Sequence, residues 1–504
     1  GAHTPDRLPR TRTRSSLAAV SREYTVLVGG DREVGAHGTY DVVNPATEEV
    51  VGQAPEASVE QVEAAARAAA EAFPSWSRSS PRERAELLDR LADALAARAD
   101  DLVPLVQAET GATLRVAQTM QVPQTIDRFR RYARGALEPT AIPLPPTEMP
   151  STALAPGGLL GTVVERRPVG VVACITPYNF PLVNMAGKVG PALAMGNTVV
   201  IKPAPQDPLA VLRFADAVAE AGFPPGVVNI VTGSGAAVGE ALVASPHVDM
   251  VSFTGSTAVG RRIGEVAGRD MKRLLLELGG KGAAIVFDDA DLRTAVGAIS
   301  SVWAFHSGQI CTAPTRVIAQ RGIYDRLVAG LQEAAGRLKV GDPLAPDTVV
   351  GPVISAAQRD RIEGYVRSGV DEGGTLLAGG ERPDLPRGFY VAPALIADCK
   401  PEMRVVQEEI FGPVVVALPF DDEDEAVALA NGTEFGLNDY VFTGDTTKAL
   451  RVARRLRSGT VAFNTVQQSP EAPFGGFKRS GVGRDRGSFA LHAYSELQSI
   501  VWPG

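Results

Sequence analysis

An α/β protein built from two successive blocks is what this sequence predicts, on three observations. The chain has 504 residues, more than one hydrophobic core usually fills, so two or three domains are expected. Four unbroken apolar runs of strand length, at 169–175, 198–201, 227–231 and 250–253, alternate with segments of helical pattern. Strands with no polar face need cover on both sides, which means a parallel sheet between layers of helix, doubly wound in outline. A second alternation of the same kind runs from about Gly279 to Arg484, with strands at 284–287 and 412–416.

The elements follow in order. Residues 1–23 are rich in Arg, Thr, Ser and Pro and read as a flexible tail rather than a basic binding arm. From Tyr24 the chain reads as short strands, with a turn at Asn44-Pro45-Ala46-Thr47. Ser58 followed three residues later by Gln61 is a capping-box pattern, and an Ala-rich helix should run from there to Phe73. Ser80-Pro81 opens another helix by the same logic, carrying Leu87, Leu88, Leu91 and Leu95 on one face. A helical run covers 113–135. Residues 139–150 hold too many prolines for regular helix and are expected to connect to a hairpin near 152–167. The last stretch, 493–500, alternates like an edge strand, which invites pairing with another subunit.

Composition excludes several classes. Hydrophobic content of 45% with 21% charged residues is that of an ordinary globular protein. The formal charge of −8 gives no electrostatic basis for binding nucleic acid or an anionic membrane. No apolar run reaches the length of a membrane span, and the N-terminus has no apolar signal-peptide core. Three cysteines, Cys174, Cys311 and Cys399, are too few and too scattered for a disulfide framework or a zinc site. No metal is therefore expected, and a reducing, cytoplasmic location is.

Four stretches carry chemistry. Cys311 follows Gly308-Gln309-Ile310, and a cysteine is the best nucleophile among side chains because part of it is thiolate near neutral pH. A small buried core residue is the commoner role for an arbitrary cysteine. Phe253-Thr254-Gly255-Ser256-Thr257, then Gly260, leads from a strand into a helix whose free N–H groups suit a phosphate, although a helix-capping turn has the same look. Leu276-Glu277-Leu278-Gly279-Gly280-Lys281 puts a carboxylate at a strand end, where apolar surroundings would raise its pKa into the range of a useful base. In Thr176-Pro177-Tyr178-Asn179-Phe180-Pro181 the Asn179 amide can face a developing oxyanion or simply form a turn.

Together these stretches resemble the aldehyde dehydrogenase superfamily, from about residue 24 to residue 503. Glu277 and Cys311 stand 34 positions apart, as in that family's pattern. Further matches are Gly187-Lys188-Val189-Gly190-Pro191, Ile201-Lys202-Pro203, Glu408-Glu409-Ile410-Phe411-Gly412-Pro413 and Pro473-Phe474-Gly475-Gly476-Phe477-Lys478. The resemblance implies a Rossmann-type cofactor domain (24–143 and 166–278), an α/β catalytic domain (279–485) and a β hairpin and arm for oligomerisation (144–165 and 486–504). It implies a homodimer or homotetramer that oxidises a small-molecule aldehyde with NAD or NADP. Cys311 would attack the carbonyl carbon, Asn179 and the Cys311 N–H would hold the oxyanion, and Glu277 would activate water against the resulting thioester. Lys188 and Asp485 would line a proton path to Glu277; the family more often has Glu at the second position. Thr176, Pro177, Tyr178, Lys202, Pro205, Gly255, Ser256, Leu278, Glu409 and Phe411 would contact the cofactor, Lys202 and Glu409 through its two riboses and Ser256 through its pyrophosphate.

Two departures bear on specificity. NAD-preferring relatives often carry Glu where Pro205 stands, so NADP stays open with NAD ahead. Relatives acting on succinic semialdehyde clasp its distal carboxylate with arginines, and the matching positions here are Gly187 and Phe305. The expected tunnel, Phe180, Val183, Gly187, Trp303, Phe305, Ile310, Thr312, Gln468 and Phe474, instead resembles that of aryl-aldehyde enzymes. A nonpolar or aromatic aldehyde is therefore expected, with a semialdehyde as the alternative. A catalytically silent member acting as a binding protein ranks low, because Cys311, Glu277 and Asn179 are all present. Thioester or ester hydrolysis by Cys311 without cofactor is a third reading. His306 reads as structural.

Overall fold

The computed structural model describes residues 23–503; except for Glu23, the expected tail lies outside them. The first sheet has eight strands in the spatial order Gly481–Val482, Arg273–Glu277, Met250–Thr254, Val171–Ile175, Thr198–Lys202, Val228–Ile230, Val26–Val28, Asp31–Glu33. The middle five are parallel. From Val171–Ile175 the chain winds outward through two strands, then returns to the other side of its start with Met250–Thr254. That reversal is a topological switch point, and the crevice outside the strands' C-terminal ends is where such sheets bind ligands.

Period-two alternation divides each buried strand between two cores. Val172, Cys174, Val199 and Ile201 enter one, while Val171, Ala173, Ile175 and Val200 enter the other. The predicted strands appear within one to four residues of their expected ends. Ser58 caps helix Val59–Trp76 with both bonds of the capping box, and Ser80 caps Pro81–Ala96. The run at 113–135 is helical as expected, from Leu114 to Gly135, but with a wider turn inside it. A short turn at Leu114–Val116 passes through a π-turn, Ala117–Gln121, into helix Val122–Gly135. Pro123 supplies no N–H near that junction, and the wider turn fits the gap in the ladder.

An acidic pair is buried in this part of the molecule. Glu109, on helix Ala99–Thr110, accepts the N–H groups of Leu209 (2.7 Å) and Ala210 (2.8 Å) at the start of helix Leu209–Ala221. Asp207 is fully buried within reach of its charge, and neither of its oxygens has a hydrogen-bond partner among the described residues.

The second sheet has seven strands in the order Thr375–Ala378, Ala394–Ala397, Val414–Phe420, Arg316–Gln320, Ala283–Val286, Asn438–Phe442, Thr460–Phe463, all parallel except the first. A three-stranded antiparallel sheet stands apart, with Gly158–Pro168 between Ala141–Met149 and Ser495–Pro503. The proline-rich stretch is thus a strand of the hairpin, longer than the connection expected. It lies at the sheet edge, where missing N–H donors cost least.

The sheets divide the chain differently from the expected boundaries in two places. Gly481–Val482 pairs with Glu277 and Leu276 of the first sheet. Ala490, Leu491 and Tyr494 pack into the first core, ahead of the terminal strand.

Candidate active site

Four loops meet between the two sheets. The first sheet supplies the loop after Ile175, which carries Asn179, and the strand end at Glu277. The second supplies the segment before Arg316, which carries Cys311, and the segment before Val414, which carries Glu409.

Cys311 follows a tight turn, Phe305–Gly308, in which His306, Ser307 and Gly308 all have positive φ (48°, 57° and 71°). Buried bonds pin this costly backbone. Ser307 Oγ donates to the Gly351 carbonyl (2.7 Å), and Gln309 Oε1 accepts the Ile354 N–H (3.0 Å). His306 Nε2 bonds the Asn179 carbonyl (2.8 Å), and burial pushes its pKa down to about 4, so the ring is neutral and structural. Asn179 Nδ2 donates to the Gln309 carbonyl at 2.9 Å, two residues from the cysteine, which leaves its second N–H hydrogen to spare. Gln121, on the π-turn, donates to the same Asn179 carbonyl (3.0 Å). Asn179 is therefore fixed from three sides, a network the sequence did not reveal.

Cys311 is half-buried. Burial first, then the charges of Glu409 and Glu277, push its thiol up to about 12, while the Arg486 charge pulls the other way. Glu277 is 4% exposed, and neither carboxylate oxygen has a hydrogen-bond partner among the described residues. Desolvation and then the Asp485 charge raise its pKa well above the usual range, against the Lys188 charge. Lys188 is buried and donates to Ser252 Oγ (3.1 Å), which shares a 2.7 Å bond with the Tyr494 hydroxyl. Lys188, Asp485 and Glu277 thus lie within one another's electrostatic reach.

Thr176, Pro177, Tyr178, Lys202, Pro205, Gly255, Ser256 and Leu278 stand at or just beyond the C-terminal ends of first-sheet strands, and Glu409 and Phe411 on the segment before Val414. Lys202 is 7% exposed, its ammonium donates among the described residues only to the Pro203 carbonyl, and burial lowers its pKa to about 8. Thr176 Oγ1 is buried with no hydrogen-bond partner among the described residues. Ser256, exposed, caps helix Thr257–Arg269 through the Val259 N–H, and the Gly255 N–H donates to the Glu277 carbonyl. Leu278 is buried, and its N–H goes to the Ser480 carbonyl. Glu409 accepts the Gly280 N–H (3.0 Å), and Phe411 meets Tyr178 edge-on with ring centres 5.8 Å apart. Pro177 and Pro205 are half-buried. A polar lining with unmet bonds at one end and a helix N-terminus in the middle suits riboses and a pyrophosphate.

These features point to one family, and comparison decides it. The model of the "Aldehyde dehydrogenase family" matches residues 33–500.

The chain belongs to the aldehyde dehydrogenase family.

This aldehyde dehydrogenase is 39% identical over 502 residues to phenylacetaldehyde dehydrogenase of Pseudomonas fluorescens, covering 97% of this chain and 98% of the relative. It is 39% identical over 465 residues to 3-succinoylsemialdehyde-pyridine dehydrogenase of a Pseudomonas species, covering 92% and 94%. The crystal structure of betaine aldehyde dehydrogenase from Staphylococcus aureus in complex with NAD+ superposes with a TM-score of 0.91 at 35% identity, over 95% of each chain. The aldehyde dehydrogenase described here is accordingly an oxidoreductase that acts on aldehydes with NAD(P) as acceptor.

The expected tunnel residues of this aldehyde dehydrogenase differ in their surroundings. Phe180 and Phe305 stack with ring centres 6.4 Å apart. Ile310 and Thr312 flank the cysteine; the Thr312 carbonyl accepts the Tyr440 hydroxyl (2.6 Å). Trp303 is the correction. It is 1% exposed in the core of the second sheet, its indole N–H donates to the Pro413 carbonyl, and it lines no tunnel. Two residues the sequence reading passed over appear in its stead. Arg128 donates to the Val183 carbonyl (2.9 Å), and its Nη1 sits where a Cβ on Gly187 would be, at 2.3 Å. Arg486 lies on the Phe474 ring at 4.1 Å and donates to Gln468 Oε1 (2.7 Å). Their sequence signal was faint: one arginine beside the inward face of an amphipathic helix, and one next to Asp485.

Proposed function

We propose that the enzyme converts an aldehyde with a nonpolar or aromatic body to its carboxylic acid through a thioester on Cys311. The observation that carries this reading is the meeting of Cys311, the Asn179 amide and an unpartnered, buried Glu277 at the mouth of the switch-point crevice. Cys311 Sγ, as thiolate, adds to the aldehyde carbon, and the Asn179 Nδ2–H and Cys311 N–H groups hold the oxygen as it gains charge. Lys202, Ser256 and Glu409 would hold NAD(P), which would supply the hydride acceptor that lets the Cys311 adduct become a thioester. Glu277 then removes a proton from water as it attacks, and the acid departs with Cys311 restored. A desolvated carboxylate suits this step because its raised pKa makes it a stronger base. Lys188 and Asp485 carry the proton away from Glu277.

Phe180, Phe305 and Phe474 give the aldehyde's body an aromatic surround, and the phenylacetaldehyde relative supports that class. NAD is used ahead of NADP, since Pro205 brings no cation to a 2′-phosphate. The two sheets and their helices act as cofactor and catalytic domains, and the three-stranded sheet joins subunits into a dimer or tetramer. The three cysteines are unpaired, which fits a reducing compartment, the cytoplasm. No helix among the described residues is long and apolar enough to cross a membrane.

The test is a panel of aryl and alkyl aldehydes assayed with both cofactors, on the native enzyme and on Cys311→Ala. Aryl aldehydes should lead with NAD, and the variant should bind dinucleotide yet oxidise nothing. Oxidation by the variant would remove Cys311 from the mechanism.

A further inference from the structure

The ribose corner around Lys202 holds an acid that the sequence reading passed over. Lys202 ends strand Thr198–Lys202, and its Cε lies 3.5 Å from the Cβ position of Gly239, on helix Ala236–Ala244. That helix follows the neighbouring strand of the sheet, Val228–Ile230. Residues 234–237, at its start, are exposed, and no side chain caps it. The lysine beside it is buried and donates among the described residues only to the Pro203 carbonyl. A cation with bonds to spare beside an uncapped helix N-terminus would suit a phosphate.

Glu56 stands at that position first. It lies between strand Val50–Pro55 and helix Val59–Trp76, and its segment is tied to the loop that leads into helix Ala236–Ala244. Thr232 Oγ1 donates to the Pro55 carbonyl (2.6 Å), and the Ala57 N–H donates to the Thr232 carbonyl (3.0 Å). The Ser234 N–H donates to both carboxylate oxygens of Glu56, at 2.9 and 3.1 Å. A Cβ on Gly233 would be 3.1 Å from Glu56 Oε1, so the carboxylate sits close against this turn.

Charge decides what the corner accepts. Among the described residues, the charge that acts on Lys202 is that of Glu56. One cation is thus already faced by one anion, and an incoming phosphate finds no free countercharge. Two further acids, Asp207 and Glu109, act together with Glu56 on the Tyr40 hydroxyl, but burial disfavours their charged forms. Glu56 is the half-buried member of the three. Pro205, three residues past Lys202, brings no carboxylate, and Glu56 brings one to Lys202 from another part of the chain.

We propose that Glu56 sets the preference for NAD over NADP, in place of the carboxylate missing at Pro205. A 2′-phosphate on the adenosine ribose would be driven against a like charge and would find the Ser234 N–H already taken. The plain ribose hydroxyls of NAD meet no such repulsion, and discrimination of this kind works by penalising the wrong ligand. This rests on the dehydrogenase reading above and on Lys202 as its ribose contact. The chemistry at Cys311 is unchanged.

The test measures binding first, by calorimetry on the full chain with 5′-AMP and 2′,5′-ADP as probes. The native enzyme should hold 5′-AMP about tenfold or more tighter, the scale of one like-charge contact. High salt should narrow that gap, a readout that needs no variant. Glu56→Gln, which can still accept the Ser234 N–H, should close most of it, and Glu56→Asp should keep more of it. The ratio of kcat/KM with NAD to that with NADP should follow the same order, chiefly through KM. Equal binding of the two probes, or a gap that either high salt or Glu56→Gln leaves unmoved, would overturn the role of Glu56 and leave the dehydrogenase reading standing. Oxidation of no aldehyde with either dinucleotide would overturn both.

Discussion

Glu277 is the residue whose environment says most about its work. It is buried, lacks a hydrogen-bond partner among the described residues, and is pushed well above the ordinary carboxylate range by desolvation and by Asp485. A base of that kind is mostly protonated at low pH and gains its active form as pH rises. Thioester hydrolysis should therefore speed up with pH until Glu277 has ionised. In Glu277→Gln the first turnover should still release a burst of NAD(P)H, but acid release should be slow and lose that pH dependence. Rapid-mixing absorbance at several pH values checks both points; equal loss of burst and steady rate would give the carboxylate another task. Cys311, Glu277 and Asn179 were legible in sequence because local motifs surround each of them. Arg128 and Arg486 were not, since neither belongs to a motif and their meeting depends on how helix Val122–Gly135 packs. Trp303 misled for the converse reason. Proximity in sequence to Cys311 said nothing about which way the end of helix Leu292–Trp303 faces.

At the scale of elements, the turn Phe305–Gly308 governs how the nucleophile is presented. Gly308 has φ of 71°, and a Cβ there would lie 2.2 Å from the Gly412 carbonyl oxygen. Gly308→Ala should thus displace the cysteine loop from the Glu409–Pro413 segment, at a cost of about 1–3 kcal/mol. Both the melting temperature and the rate of Cys311 alkylation should fall; a variant with native alkylation kinetics would mean the loop absorbs the methyl. Sequence patterning located the strands well, because unbroken apolar runs leave few alternatives. It found the helix at 113–135 without the π-turn inside it, and it read 139–150 as a connection. Helical periodicity does not reveal a π-turn, and the rule that proline opposes helix does not say that an edge strand will accept it.

On the scale of the whole molecule, the sheet formed by Ala141–Met149, Gly158–Pro168 and Ser495–Pro503 leaves Leu144, Leu159, Leu497, Val501 and Trp502 exposed. Apolar side chains on a projecting sheet are usually covered by a partner. Removing residues 495–504 should shift the assembly to smaller species in sedimentation velocity, and an unchanged profile would place the interface elsewhere. The buried pair Glu109 and Asp207 sets a different limit. Burial raises both pKa values, Glu109 to about 8. A group held protonated in the fold favours the native state fully below the unfolded carboxylate value, and that support fades as pH climbs through the folded one. Thermal melts from pH 6 to 10 should accordingly show declining stability on the alkaline side, an effect that Asp207→Asn should blunt. Glu277 draws turnover upward as pH rises, while Glu109 and Asp207 wear the scaffold down in the same direction. The enzyme should run fastest, for a few minutes, in buffers where it keeps worst overnight.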